Sequence, residues 1–329
     1  MRLFLAGFGR VGRALAEIIT KNNLPYKVVG IADTSGVVIG ENIDLNQAII
    51  IKEKTGKISA LRDAIEGLSV NEAMDLIDFD ILIEVTPTNV DNGEPGITFI
   101  RNALKKGYHV VTSNKGPLAL YYDELMRLSK LHSVFIRYEG TVGASLPIFI
   151  MKDKYLQLDE VLAIEGVLNT TTTFILSQIE QGASFDDSLR IAQEKGYAED
   201  NPRLDVEGYD LACKAIILAN SFFFKNITLR DIEFTGIQNL DEEQIRETYN
   251  KGKVMRLSIN ISKNDVKIGL KTYEKTSIFA VNNNLNVIQF NLKYANPLIL
   301  IGPGAGCFET AYAIISDINI IREQSYQKY

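Results

Sequence analysis

The chain begins MRLFLAGFGRVGRALAEIITKNNLPYKVVGIAD (residues 1–33). Residues 2–6 form an apolar run typical of a buried strand, and the glycine-rich turn GFGRVG (residues 7–12) follows it directly. The next residues have the apolar spacing of a helix, and KVVGIAD predicts a second strand that ends at Asp33. Strand, glycine turn and helix in this order are the fingerprint of a dinucleotide-binding unit, so we predict one here.

Each glycine of the turn has a separate physical role. Gly7 permits the tight turn, Gly9 lets the backbone approach a pyrophosphate, and Gly12 lets the helix pack against the strand. The pyrophosphate is expected at the N-terminus of the helix, where backbone N–H groups point outward. A generic glycine turn is the alternative. The predicted cofactor contacts in the turn are Gly7, Phe8, Gly9, Arg10, Val11 and Gly12.

Asp33 lies twenty-one residues after Gly12, where an acidic side chain can hydrogen-bond the adenosine ribose. A carboxylate repels a 2′-phosphate, and this favours NAD over NADP. Lys52, Lys54 and Lys57 follow, however, and any of them could reach a 2′-phosphate, although most lysines are simply solvated. The sequence leaves the choice between NAD and NADP open.

Predicted strands and helices continue to alternate to about residue 138, which indicates a parallel, doubly wound sheet. Residues 80–85 predict a buried strand that enters the polar turn of EVTPTN, and YHVVTSNKGP predicts another such strand and turn. Ligands of such sheets lie beyond the carboxyl ends of the strands. The predicted cofactor contacts at these ends are Thr86, Pro87, Ser113 and Lys115. A solvated loop lysine is the alternative for Lys115.

The second region has a different pattern. From about residue 224, ITLRDIEFTG, KVMRLSINIS, VKIGLKTYEK and NVIQFNLKY alternate apolar and polar residues and predict antiparallel strands. Several predicted helices precede these strands, and one further predicted helix, DEEQIRETYNKG, lies between the first two. We therefore predict an α+β domain over residues 139–298.

The last segment, NPLILIGPGAGCFETAYAIISDI, again has the order strand, glycine turn and helix. We predict that residues 299–329 return to complete the first domain (1–138), with Gly302, Gly304 and Gly306 near the cofactor.

The most informative chemistry lies in GYAEDNPRLDVEGYDLACK (residues 196–214). Asp210 and Lys214 are four residues apart, so on a helix they share a face. The residues around Lys214 are apolar, which predicts a buried helix, and a buried lysine needs a partner or a polar cavity. We predict a catalytic lysine with Asp210 as its orienting partner. A surface i,i+4 salt bridge is the alternative.

Composition excludes several classes of protein. A formal net charge of −6 argues against a nucleic-acid partner or an anionic membrane surface. Two cysteines far apart and two histidines argue against a disulfide framework and a structural zinc site. Without a long apolar run or a signal-peptide pattern, we expect a cytoplasmic protein.

Several motifs together resemble homoserine dehydrogenases over nearly the whole chain. They are GFGRVG, EVTPTN, VVTSNKGPLA, YEGTVGASLPI, GVLNTTTTFIL, GYAEDNPRLDVEGYDLACK and GPGAGCFETAYAIISD, in the family's order. The sixth is the most specific. The resemblance implies a Rossmann-like nucleotide-binding domain, an α+β catalytic and dimerisation domain, and a homodimer. The implied reaction is NAD(P)-dependent reduction of aspartate 4-semialdehyde to homoserine, on the route to threonine, methionine and isoleucine.

The resemblance also implies roles for individual residues. The implied substrate pocket contains Glu199, Asp205, Asp210 and Lys214, lined by Tyr197 and Thr171, with Gly196 near the nicotinamide and Lys115 contributed by the nucleotide-binding domain. The implied ligands of a monovalent cation such as sodium, held mainly by backbone carbonyls, are Glu139, Val142, Ala144 and Leu146. We predict that Lys214 is the proton donor and that Lys115 is a second polarising cation.

The chain departs from the family at Thr170 and Thr173, where glycine and asparagine are usual, and at Ser145, where glycine is common. We expect neither a kinase domain nor a C-terminal regulatory domain. Two alternatives to this function remain. One is another nicotinamide enzyme, such as an acylating semialdehyde dehydrogenase, which would need a nucleophilic cysteine (Cys213 or Cys307). The other is a non-catalytic NAD(P)-binding sensor.

Overall fold

The computed structural model describes residues 1–198, 201–295 and 297–326. The chain forms two compact units. One consists of Met1–Thr141 and Gly306–Tyr329, and the other of Val142–Ala305. Within the described ranges, no helix is both long enough and apolar enough to cross a membrane.

The first unit is built on a six-stranded sheet. Its strands are β1 (Arg2–Ala6), β2 (Lys27–Asp33), β3 (Gly36–Ile39), β4 (Ile81–Glu84), β5 (His109–Thr112) and β6 (Ile136–Arg137). Their order in the sheet is β3-β2-β1-β4-β5-β6, and neighbouring strands are parallel except for the antiparallel pair β2 and β3. The predicted parallel sheet is confirmed. The antiparallel edge strand β3 was not predicted.

Helices alternate with these strands. They are α1 (Arg10–Lys21), α2 (Leu45–Thr55), α3 (Val70–Leu76), α4 (Gly96–Lys105), α5 (Lys115–Leu131) and a C-terminal helix (Cys307–Tyr326), with 3-10 turns at Ile58–Ala60 and Glu139–Thr141. Apolar residues of β1, β2 and α1 pack together with Ile314, Ile318 and Ile321 of the C-terminal helix. The C-terminal helix therefore completes the core of the first unit.

The second unit is built on a five-stranded antiparallel sheet. Its strands are β7 (Val161–Val167), β8 (Lys253–Ser262), β9 (Val266–Glu274), β10 (Leu285–Leu292) and β11 (Leu298–Pro303), in the order β11-β10-β7-β8-β9. The helices are α6 (Ile148–Lys154), α7 (Thr170–Glu180), α8 (Phe185–Glu194), α9 (Arg203–Val206), α10 (Tyr209–Phe223) and α11 (Glu242–Asn250), with a 3-10 turn at Leu156–Leu158. The predicted α+β architecture of this region is confirmed.

The predicted return to the first domain at residue 299 is wrong by several residues. Residues 298–303 form β11, which pairs antiparallel with β10 in the second sheet, and the first unit resumes only at Gly306. The predicted boundary at 138 likewise differs from the observed division after Thr141. The order strand, glycine turn and helix does not reveal which sheet the strand joins, because an antiparallel strand presents the same local pattern.

The predicted strand ITLRDIEFTG (227–236) is also wrong. The segment is irregular, with a turn at its centre. The Asp231 carboxylate accepts hydrogen bonds from the backbone N–H and the hydroxyl of Thr228, at 2.8 and 2.7 Å. Such local side-chain bonds compete with a strand ladder for the backbone groups.

Candidate active site

Lys214 lies on a buried helix. Every residue of α10 from Leu211 to Ser221 is buried, and Lys214 is only 7% exposed. Its ammonium group donates to Oδ2 of Asp210 at 2.6 Å and to the carbonyl oxygen of Leu168 at 2.6 Å. The ion pair is therefore buried, so the alternative of a surface salt bridge does not apply. An ammonium group has three N–H donors, and these two bonds use two of them.

Asn169 connects two carboxylates to the start of α7. Its amide nitrogen donates to Oδ1 of Asp205 at 2.7 Å and to Oδ2 of Asp210 at 2.9 Å. Its amide oxygen accepts the backbone N–H of Thr172 at 2.8 Å and so caps the helix. Sequence reasoning missed Asn169 as a site residue. Its position directly before the helix, inside a motif of the resemblance, was the signal that could have identified it.

Thr171 also contributes its side chain to this cluster. Its hydroxyl lies 2.8 Å from Oδ2 of Asp205 and 2.7 Å from the carbonyl oxygen of Tyr197. Tyr197 thus joins the cluster through its backbone, while its ring packs edge-on against Phe174 with the centroids 5.3 Å apart. The structure therefore brings Thr171, Asp205, Asp210 and Lys214 into one cluster, and their roles in binding or catalysis stay predictions. Glu199 lies outside the described residues.

The carboxyl group of Asp205 has an unusual acidity. Burial raises the pKa of Asp205 to about 6, and the nearby charge of Asp210 acts in the same direction. Hydrogen bonds from Asn169 and Thr171 oppose the shift, as does the charge of Lys214. Asp205 therefore changes protonation near neutral pH, where an ordinary aspartate would remain charged.

The glycine turn fits a dinucleotide. Gly7 has φ +108°, and a Cβ on it would lie 2.7 Å from the Val85 carbonyl oxygen. A Cβ on Gly12 would lie 2.3 Å from the carbonyl oxygen of Gly7, whereas a Cβ on Gly9 would meet nothing within 4 Å. Gly9 is thus the open position, and no side chain caps the first turn of α1. These are the three roles that the fingerprint requires. The side chain of Phe8 packs into the core, so only its backbone could contact a cofactor.

Asp33 is held by groups of the protein itself. Its carboxylate accepts from the Lys52 ammonium at 2.5 Å, from the Ser35 N–H and hydroxyl, and from the Ile58 N–H. Burial acts to raise the pKa of Asp33, but these donors outweigh it and the pKa is lowered. The contact of Asp33 with a ribose stays a prediction, and it would have to replace one of these donors. Of the three lysines that could reach a 2′-phosphate, Lys52 forms the ion pair with Asp33.

The turns after β4 and β5 meet through a residue that the sequence analysis missed. The buried carboxylate of Glu84 accepts from Thr86, Thr112 and Asn114. Asn114 caps α5, whose first residue is Lys115, and its amide also lies 3.5 Å from the carbonyl oxygen of Pro87. The predicted cofactor contacts Thr86, Pro87, Ser113 and Lys115 thus lie on two neighbouring turns. The signal that could have revealed Glu84 is a charged residue ending an apolar strand.

The remaining predicted residues lie in ordinary structural settings. Gly196 lies two residues after the end of α8 and has φ +74°. A Cβ on Gly304 would lie 1.9 Å from the buried side chain of Asn286. Residues Glu139, Val142, Ala144 and Leu146 are buried. Within the described ranges no group of three His, Cys, Asp or Glu residues could hold a metal ion, so a cation here would depend on carbonyl oxygens. Roles of these residues in binding cofactor or cation stay predictions.

The two units together define a class of protein. The first has the glycine turn and crossover sheet of a nicotinamide dinucleotide-binding domain, and the second presents a buried lysine among carboxylates. This is the arrangement of a dinucleotide-dependent dehydrogenase with a separate catalytic domain. Cys213 is fully buried within α10, a poor position for the nucleophile of an acylating enzyme.

Comparison with known proteins identifies the family. The family model described as homoserine dehydrogenase matches residues 147–319, and the model for the homoserine dehydrogenase NAD-binding domain matches residues 7–139. The chain is 38% identical to a homoserine dehydrogenase of Methanocaldococcus jannaschii, with 97% of each chain covered. It is 32% identical to an NAD(+)-dependent homoserine dehydrogenase of Pseudomonas canavaninivorans, with 99% of this chain and 97% of the relative covered.

A solved structure is similar to this chain over nearly its whole length. The complex of a hyperthermophilic archaeal homoserine dehydrogenase mutant with NADPH superposes with a TM-score of 0.86 at 30% identity, covering 98% of each chain. The chain belongs to the homoserine dehydrogenase family and is an NAD(P)-dependent oxidoreductase. The predicted family, fold class and type of enzyme are confirmed.

Proposed function

We propose that this protein catalyses the reversible NAD(P)-dependent reduction of L-aspartate 4-semialdehyde to L-homoserine, in threonine, methionine and isoleucine biosynthesis. The observation that carries the proposal is the buried ammonium of Lys214, bonded to Asp210 and to the Leu168 carbonyl beside the Asp205 carboxyl. Family membership supplies the reaction, and this cluster supplies groups that match its chemistry.

The substrate is an amino acid, so its charged ends need opposite partners. Carboxylates can bind the ammonium group, and Asp205 is our candidate, together with Glu199. The substrate carboxylate needs donors, which the Thr171 hydroxyl or backbone amides could provide. A hydroxyl has a single proton, so Thr171 can reorient from its present acceptors toward a ligand.

The reacting oxygen needs a proton and a positive charge. Bound NAD(P)H supplies the hydride. As negative charge develops on the aldehyde oxygen, a donor fixed beside it lowers the barrier. We assign this role to Lys214, which gives its proton to that oxygen in reduction and takes it back in oxidation. Asp210 orients the ammonium group, and Lys115 is our second polarising cation.

A spectrophotometric assay tests the proposal. Purified protein with homoserine and NADP or NAD should generate the absorbance of the reduced nicotinamide, and aspartate 4-semialdehyde with NADPH should remove it. Binding of NADPH without turnover would favour the sensor alternative. Turnover that needs coenzyme A or phosphate would indicate an acylating enzyme instead.

We expect activity and stability to respond oppositely to the ionisation of Asp205. Its pKa in the folded protein is about 6, so kcat/KM for homoserine should fall as the pH drops below that value and the ammonium-binding carboxylate is protonated. Because the pKa is raised on folding, the contribution of Asp205 to stability is complete at acidic pH and is lost as the pH rises through about 6. A pH series of kcat/KM and of the melting temperature, for wild type and Asp205→Asn, measures both effects. An unchanged acid limb in Asp205→Asn would contradict the assignment.

We expect Lys52 to support the use of NADP. Lys52→Ala removes the cation beside Asp33, so a 2′-phosphate would lose a charged partner and face an uncovered carboxylate. The KM for NADP should rise about tenfold, whereas the KM for NAD should stay within about threefold. Lys54→Ala, an exposed lysine on the same helix, is the matched control. Equal changes for both cofactors would contradict the prediction.

The wider assignments are also proposals. We propose a homodimer, which the family resemblance implies, and a cytoplasmic location, which the absence of a long apolar run and of a signal-peptide pattern favours. We propose no nucleic-acid or membrane partner. Ile301, half exposed on the edge strand β11, is an apolar surface of the kind that a second subunit could cover. Sedimentation equilibrium would measure the oligomeric state. We also propose a site for a monovalent cation such as sodium, held mainly by backbone carbonyls, at Glu139, Val142, Ala144 and Leu146.

A further inference from the structure

Glu84 is a buried carboxyl group that forms no ion pair with any residue the structure describes. It ends β4 with no exposed surface. Isolated buried charges are costly, and proteins rarely keep them without a reason. Burial accordingly raises the pKa of Glu84, against the hydrogen bonds from Thr86, Thr112 and Asn114 that lower it.

Four donors from two turns converge on this carboxyl group. Oε1 accepts the Thr86 N–H at 2.9 Å, the Thr86 hydroxyl and the Asn114 amide at 3.3 Å, and Oε2 accepts the Thr112 hydroxyl at 2.8 Å. Thr86 follows β4, and Thr112 and Asn114 follow or end β5. One side chain therefore joins the carboxyl ends of two adjacent parallel strands, where the ligands of such sheets bind.

The same network caps one helix and lies against the first residue of another. Asn114 Oδ1 accepts the Gly116 N–H at 3.1 Å and caps α5, while the Asn114 N–H donates to the Thr112 hydroxyl at 3.0 Å. On the other side, a Cβ on Gly96, the first residue of α4, would lie 3.0 Å from Glu84 Oε1 and 2.7 Å from the Asn114 amide nitrogen. The group is thus enclosed by β4, β5 and the first residues of α4 and α5.

We propose that Glu84 is a positioning residue for the cofactor: its carboxyl group fixes the turn at Thr86 and Pro87 against the turn at Ser113 and, through Asn114, sets the start of α5 at Lys115. The inference rests on the proposed role of these turns in binding the dinucleotide. Glu84 acts through its neighbours and not by touching the reacting atoms. Without it, four donors lose their acceptor and the two turns can separate.

The test is a titration with NADPH, in which the fluorescence of NADPH reports binding. Steady-state kinetics of homoserine oxidation are measured for the same variants. Glu84→Ala should raise the Kd for NADPH at least about tenfold. The KM for homoserine should stay within about twofold, because its proposed binding groups Thr171 and Asp205 belong to the second unit, whereas misplacement of Lys115 as a polarising cation should lower kcat. Glu84→Gln should lie within about threefold of wild type, since its amide oxygen can accept from Thr86 and its NH₂ can donate to Thr112.

Two further variants separate positioning from general stability. Leu82→Ala creates a cavity on the same strand, so it should lower the melting temperature but leave the Kd for NADPH within about twofold of wild type. Thr112→Val keeps the shape of the side chain but removes the hydroxyl between Glu84 and Asn114, and it should raise the Kd about threefold. If Glu84→Ala does not fold, Thr112→Val decides the question.

The inference is overturned if folded Glu84→Ala binds NADPH as tightly as Leu82→Ala, or if Thr112→Val binds it like wild type when Glu84→Ala is insoluble. These results would leave the proposed reaction intact, since wild type would still oxidise homoserine. Failure of wild type to turn over homoserine, with NADPH still bound, would instead contradict the proposed function.

Discussion

Lys214→Ala is expected to lower kcat for homoserine oxidation by about 10²-fold or more, because the only proton donor we place at the reacting oxygen is lost. Burial makes the loss severe. The ammonium group is 7% exposed and held by Asp210 and the Leu168 carbonyl, so water cannot take its place in the same geometry. The measurement is kcat from initial rates of absorbance change of the reduced nicotinamide. NADPH fluorescence shows whether the variant still binds cofactor.

Lys251→Ala is the matched control for Lys214→Ala. Lys251 forms the same kind of i,i+4 pair, with Glu247 at 3.1 Å, but its side chain is 71% exposed. Exposed pairs of this kind contribute little, so its kcat and melting temperature should equal those of wild type. Near-full kcat in a folded, NADPH-binding Lys214→Ala would remove Lys214 from the mechanism and make Lys115 the principal donor.

Glu180→Ala is expected to destabilise the protein by about 3–5 kcal/mol, because it leaves a buried guanidinium group without its carboxylate. Arg256 on β8 is fully buried, and its Nη1 lies 2.5 Å from Glu180 at the end of α7. Its other bonds go to neutral oxygens, those of Val281, Met255 and Asn282, which cannot replace a charge. Denaturant unfolding followed by circular dichroism measures the loss.

A double replacement tests the reason for this effect. Glu180→Gln with Arg256→Met removes both charges and should recover much of the stability lost in Glu180→Ala. Glu274→Ala, which breaks the exposed pair between Lys253 and Glu274 on β8 and β9, should leave the unfolding curve nearly unchanged. If Glu180→Ala were no less stable than Glu274→Ala, the buried pair would not be holding α7 against the sheet.

Local patterns predicted well wherever the deciding contacts are close in sequence. The glycine turn at residues 7–12 has steric requirements met within a few residues and by the adjacent strand, and the structure reproduces them. The i,i+4 pair of Asp210 and Lys214 follows from helical geometry alone, and the apolar run around it predicted that the helix is buried.

Prediction from sequence failed where a contact depends on a residue far away in the chain. It also failed where local side-chain hydrogen bonds compete with a strand for the backbone groups. Nothing in the strand pattern of residues 298–303 reveals that β10 is its neighbour. Residues 227–236 alternate like a strand, yet the bonds between Thr228 and Asp231 close a turn there. Asn169 and Glu84 look like ordinary polar residues until the fold brings Asp205, thirty-six residues away, and Thr112, twenty-eight residues away, to them.

The sequence by itself determined most of the order of the elements, the dinucleotide turn, the buried lysine with its aspartate, and, through its motifs, the family. Each of these depends on spacing along the chain, because backbone periodicity places such residues on one face or in one turn. Only the tertiary structure decided that Asn169 joins two carboxylates, that Lys52 covers Asp33, and that Glu84 ties together two turns. Hydrogen bonds and charge pairs depend on distance in space, and residues far apart in sequence come within that distance only when the chain has folded.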